Sequence, residues 1–145
     1  MKHLTKWLAV LLCVSLAACG AVNTESDTAG SDWRTTGIVR DSGELTQNGE
    51  TQTVLLCVHE NDAVLYKDSE VQTAVCSVEY PMAVPDSWDA YQSVDFSDRD
   101  GDGNSDICLT FLLGDGDTMI MVWLWDGESY VFSADESSVL GQSEK

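Results

Sequence analysis

The densest chemistry in the chain lies in nine consecutive residues, Asp98-Arg99-Asp100-Gly101-Asp102-Gly103-Asn104-Ser105-Asp106. Carboxylates recur at loop positions 1, 3, 5 and 9, and alternate residues of a tight loop point inward to one centre. A hard cation of calcium's size takes about six to eight oxygens at about 2.3 to 2.6 Å. The spacing therefore predicts a Ca2+ site in which Asp98, Asp100, Asp102 and Asp106 supply carboxylates and Asn104, at position 7, supplies its backbone carbonyl. Gly103, at position 6, permits the sharp turn that such a loop needs. Carboxylates this crowded repel one another unless a cation lies among them or some of them bind protons. A merely solvated turn does not require that order of residues. Asp115 to Asp117 form a second acidic turn, but its two carboxylates, with no third at useful spacing, read as a hairpin turn.

The first loop departs from the EF-hand pattern. Position 12 is Leu109 where that pattern has a bidentate Glu, and the flanking segments have the period of strands rather than helices. With an apolar strand running straight out of the last carboxylate, Asp106-Ile107-Cys108-Leu109, the segment from Val94 to Leu113 resembles the strand-loop-strand calcium sites of FG-GAP and VCBS-type repeats. The resemblance implies that Asp106 is itself a ligand, so that no Glu at position 12 is needed. It also implies a structural, constitutively filled ion in a recognition or scaffold module. The hairpin through Trp123-Leu124-Trp125-Asp126-Gly127 extends the resemblance more loosely towards small propeller-like envelope proteins.

Other chemistry is thin. His59 is the only histidine beyond the N-terminal segment, so neither a His-based triad nor a His-rich transition-metal site is indicated. Paired carboxylates for glycoside hydrolysis must be held in a cleft at a defined separation, and no spacing here shows such a pair. The expectation is a protein that is not an enzyme. Cys57 and Cys76 sit on neighbouring predicted strands and are the first candidates for a disulfide, with buried free thiols the equal alternative; Cys108 completes the set.

The elements that must position the acidic loop read as strands throughout, with β-branched and aromatic residues bounded by Gly, Asp, Asn and Ser. Thr53 to His59 and Ala63 to Lys67 flank a short polar interruption suited to a hairpin, and Val71 to Tyr80 follow as a third strand. Pro81 and Pro85 mark an irregular crossing with room for one helical turn before Tyr91. Ile107 to Leu113, Thr118 to Trp125 and Tyr130 to Phe132 then form a three-strand meander. Its middle strand is apolar on both faces, so it is expected to be central and covered on both sides. Met119, Met121, Trp123 and Trp125 share one of these faces, where core packing outweighs a role as a recognition platform. The fold class expected is all-β: antiparallel meander sheets, as a small sandwich or a partial propeller, carrying a strand-loop-strand calcium site.

The N-terminus runs from Lys2, His3 and Lys6 through an apolar stretch to Leu16-Ala17-Ala18-Cys19-Gly20. This is too short to span a membrane and has the charged start and small-residue end of a signal peptide. Its end resembles the bacterial lipobox, which implies cleavage before Cys19 and lipidation of that cysteine. The expected organisation is a signal peptide over residues 1–18, a lipidated cysteine and flexible tether over 19–32, a β domain over 33–140 and a polar tail over 141–145. That places the protein on the extracytoplasmic face of a cell membrane, anchored by lipid.

With 25 acidic residues against seven Lys and Arg, and a net charge of −18, the surface repels nucleic acid and anionic headgroups. The function expected is that of a non-enzymatic envelope binding module for a protein or a glycan. The alternative is an inhibitor or immunity protein that blocks a basic hydrolase such as a lysozyme.

Overall fold

The computed structural model describes residues 32–140; the lipobox with Cys19, most of the tether and the polar tail lie outside the described residues. The chain forms strands β1 (Ile38–Gln47), β2 (Glu50–Val58), β3 (Asp62–Lys67) and β4 (Glu70–Glu79), a single helical turn α1 (Ser87–Ala90), and strands β5 (Tyr91–Asp95), β6 (Ile107–Leu112), β7 (Thr118–Trp125), β8 (Tyr130–Phe132) and β9 (Ser138–Leu140). β1 to β4 make one antiparallel sheet in sequence order, and β5 to β8 make a second, with β9 added beside β7. The fold is all-β, two antiparallel meander sheets that do not close into a barrel.

Alternation along each strand decides what lies between the sheets. From the first sheet Val54, Leu56 and Val58 of β2 and Ala63 and Leu65 of β3 point inward; from the second, Ile107, Leu109 and Phe111 of β6 and Met119, Met121 and Trp123 of β7 meet them in one core. Tyr80 and Tyr91 set their ring edges against Phe111 from two sides, at 5.4 and 6.2 Å between centroids. This face-to-face burial makes the molecule a sandwich. The aromatic and Met stripe of β7 is core, as expected.

β7 is central, with β6 on one side and β8 and β9 on the other. Its second face is covered only in part, since Val122 is buried while Ile120 and Leu124 remain half-exposed. The helical turn falls within the predicted crossing. β9 was not expected, because only Val139 and Leu140 mark it. The hairpin between β1 and β2 turns at Asn48-Gly49, both at positive φ (52° and 80°), the two-residue geometry that Asn-Gly favours.

The proposed pairing of Cys57 with Cys76 is corrected. β2 and β4 are not neighbours but flank β3, which separates them by roughly two strand spacings of about 4.8 Å. Cys57 packs on the outer face of its sheet with Val64 and Tyr66, whereas Cys76 packs against the inter-sheet core. Thiols on opposite faces and two strands apart do not meet the disulfide limit of about 7 Å between Cα atoms. All three cysteines of the domain are free. Burial pushes the Cys57 thiol up to about 11 and the Cys76 thiol up to about 12.

Candidate metal centre

The acidic loop joins β5 to β6 and is fixed at one end of the sandwich by contacts from three other segments. Ser105 donates its N–H to the Thr46 carbonyl at 2.7 Å and receives the Thr46 N–H on its hydroxyl at 2.9 Å, so the loop is stitched to the end of β1. The Asn48 N–H of the first hairpin turn reaches Asn104 Oδ1 at 2.6 Å. Tyr130 of β8 donates its hydroxyl to the Ser105 carbonyl at 2.9 Å, and burial raises the pKa of that hydroxyl.

Asp106 is the keystone. Its side chain is fully buried, and a buried carboxylate is tolerated only when its oxygens find donors. Oδ2 accepts the Arg99 N–H at 2.7 Å and Oδ1 accepts the Trp125 N–H at 3.0 Å, which ties the start of the loop to the end of β7. Asp98 works in the same way at the loop's mouth, accepting the N–H groups of Gly101 and Asp102 on Oδ1 and of Gly103 on Oδ2. Gly101 and Gly103 adopt φ of 84° and 88°, a conformation that disfavours a Cβ and that lets these N–H groups turn inward.

The outcome is that Asp98, Asp100 and Asp106 each bring a carboxylate oxygen within 4.8 Å of the others. Asp102 falls outside that trio: it accepts the backbone and side-chain N–H groups of Asn104, at 2.7 and 2.9 Å, and braces the turn. Arg99, the loop's single cation, is turned away to Asp95 at 3.3 Å and does not neutralise the cluster. A carboxylate offers about four lone-pair positions. Asp106 uses two, Asp98 three and Asp100 one on backbone N–H groups, so oxygen capacity remains at the centre. All-oxygen, anionic donors on a braced loop fit a hard divalent cation.

Of the residues that the spacing grouped, the structure brings the carboxylates of Asp98, Asp100 and Asp106 together. Sequence reasoning missed the residues that hold the loop, namely Thr46, Asn48, Ser105, Trp125 and Tyr130. Of these only Asn48 carried a signal, through the Asn-Gly turn; the others act through backbone atoms or distant strands, where no local pattern marks them. No protein-family model matches the chain, and searches of curated proteins and of solved structures likewise return no match.

Proposed function

We propose that the chain is a lipid-anchored envelope protein whose β domain is stabilised by Ca2+ at Asp98, Asp100 and Asp106 and acts as a non-enzymatic binding module for a protein or a glycan. The observation that carries the calcium reading is the convergence of these three carboxylates, one of them buried, on a loop whose only cation faces away. The resemblance of the loop to FG-GAP and VCBS-type sites agrees with it, as does the lipobox with export to a compartment where calcium is supplied from outside.

The ion's role is stability. A ligand at 100 times its dissociation constant adds about 2.7 kcal/mol to the folded state. Thermal unfolding of the full chain in excess EDTA, then with calcium or magnesium, tests this: calcium raises the midpoint by several degrees and magnesium, which demands a tighter octahedral shell, does so far less. Equal midpoints in EDTA and calcium overturn the reading.

The charge of −18 favours a second reading, in which the domain blocks a cationic envelope hydrolase. Binding of that kind weakens steeply with salt, whereas glycan recognition barely responds.

A further inference from the structure

At the end of β2 opposite the acidic loop, the chain brings together a thiol, an imidazole and a carboxylate. Cys57 and His59 are two residues apart and share one side of the chain, and the tight β2–β3 turn, closed by His59 N–H to the Asp62 carbonyl at 2.9 Å, returns Asp62 beside His59. Cys57 Sγ lies 3.3 Å from His59 Nε2, and Asp62 Oδ1 lies 3.3 Å from His59 Nδ1. Asp62 is held in turn by the Ser77 hydroxyl at 3.0 Å, and the His59 carbonyl by the Ser87 hydroxyl of α1 at 2.7 Å. With Nδ1–H facing the carboxylate, Nε2 is left as the acceptor for the thiol proton, the arrangement by which a nucleophile is activated.

We propose that Cys57, His59 and Asp62 form a nucleophilic-thiol site for thiol–disulfide exchange with small neutral or cationic disulfides, covered in the resting structure by the segment of residues 32–37. This goes beyond the calcium-module reading and does not depend on it.

The cover is specific. Gly37 packs on the pair so closely that an added Cβ would lie 2.3 Å from the His59 ring and 2.5 Å from Cys57 Sγ. Under the cover the single S–H can turn to the Trp33 carbonyl at 3.7 Å instead of to Nε2, so lifting the cover removes that competing acceptor, and the Trp33 ring stands edge-on to Tyr66. Arg34, Thr35 and Thr36 follow one another at positive φ, 43°, 98° and 64°, a conformation unfavourable to residues that bear a Cβ, β-branched threonine above all. The cover therefore carries strain that its release relieves, and Trp33, 37 % exposed, is its main apolar anchor. Beside it a surface opening, bordered by Thr35, Thr36, Asn61 and Trp88, gives access to His59 and Asp62. Glu60 also borders that opening, and its charge with that of Asp62 outweighs the single Arg34 cation near Cys57 in disfavouring anionic reagents.

The base is needed because burial, with the Asp62 charge, pushes the thiol up to about 11, and the thiolate is the nucleophilic form. In the exchange the Sγ proton passes to Nε2, Sγ bonds to one sulfur of the disulfide, the S–S bond breaks, and the departing thiolate takes the proton from the imidazolium. The products are a Cys57 mixed disulfide and one free thiol, with Asp62 stabilising the imidazolium between.

The test treats the native full chain with neutral dithiodipyridine, cationic cystamine and a dianionic aryl disulfide, and follows Cys57, Cys76 and Cys108 separately by peptide mass spectrometry. Cys76, half-buried, and Cys108, buried like Cys57, are thiols of the same molecule and serve as internal standards. Cys57 reacts at least tenfold faster than either, with the neutral and cationic reagents ahead of the dianion. Trp33→Ala speeds it further, and in that background His59→Gln slows it on the order of 10²-fold while Asp62→Asn slows it less. Cys57 reacting no faster than Cys76 and Cys108, or at an unchanged rate in both His59→Gln and Asp62→Asn, overturns the proposal.

Discussion

The two ends of the sandwich hold their polar residues by different means. At the acidic end, carboxylates are wrapped in backbone N–H groups from their own loop and from β7. At the other end, a carboxylate, an imidazole and a thiol face one another through side chains, under a segment whose backbone is strained. The acidic loop thus draws its shape from main-chain geometry and keeps oxygen capacity for a cation. The thiol corner draws its shape from side-chain contacts, which change when a proton or the cover moves. The first arrangement suits a permanent structural ion, the second a reaction.

That contrast is tested most severely at Asp106. Replacing it with alanine strands the buried Trp125 N–H, at about 1–3 kcal/mol, and leaves the part-buried Arg99 N–H unpaired at a smaller cost, so Asp106→Ala is expected to destabilise by about 2–4 kcal/mol even in EDTA, as read by urea unfolding. Asp106→Asn keeps one acceptor oxygen and costs less. Asp100→Ala separates shape from ion: Asp100 accepts only the nearby Asp102 N–H, so its loss leaves EDTA stability nearly unchanged and abolishes the calcium-induced rise in midpoint. Asp102→Ala, outside the trio, keeps part of that rise. A calcium response surviving intact in Asp100→Ala refutes the site.

At the opposite end Gly37→Ala forces a methyl into the His59 and Cys57 side chains, and overpacking of that kind costs about 1–3 kcal/mol. The corresponding change in the acidic loop, Gly103→Ala, meets no neighbour within 4 Å and is opposed only by its φ of 88°, at about 1–2 kcal/mol. The two variants sharpen the comparison because only Gly37→Ala should also accelerate labelling of Cys57. Equal thiol labelling in both would detach the cover from the thiol.

How much of this was legible in the sequence follows the same division. The acidic loop was readable because its carboxylates lie within nine residues, at the alternation a tight loop imposes. The strands β2, β3, β4, β6, β7 and β8 were readable because β-branched and aromatic residues run between clusters of turn residues. The thiol corner was overlooked although it too is local, Cys57-Val58-His59 and then Asp62. A single histidine carries no pattern, and only the two-residue return at Glu60-Asn61 sets Asp62 against the ring. The disulfide failed for a topological reason: adjacent segments in sequence suggested neighbouring strands, yet β3 inserts between them and strand parity puts the sulfurs on opposite faces. β9 escaped because it is three residues long and pairs with β7 beyond β8, an added edge without a face of its own to bury.

The smallest expected effect isolates backbone wrapping from metal binding. Asp126, in the β7–β8 turn, accepts the N–H groups of Ser129, at 2.7 Å, and Glu128, at 2.9 Å, through Oδ1, the device of Asp98 outside the Asp98, Asp100 and Asp106 trio. These two donors, Ser129 first, hold its carboxyl below the ordinary carboxylate value. A folded-state pKa below the unfolded one means that the ionised side chain stabilises the fold above the unfolded pKa. That contribution is lost as pH falls through the folded value. Asp126 is exposed, so solvent screens it and the effect is slight. In EDTA the stability difference between the parent chain and Asp126→Ala should shrink as the solution is acidified below the ordinary aspartate range, with calcium making no difference to that trend. A difference that stays constant on acidification would mean that the turn owes nothing to the charge, and backbone wrapping at this end would then matter only where, as at Asp106, the carboxylate is buried.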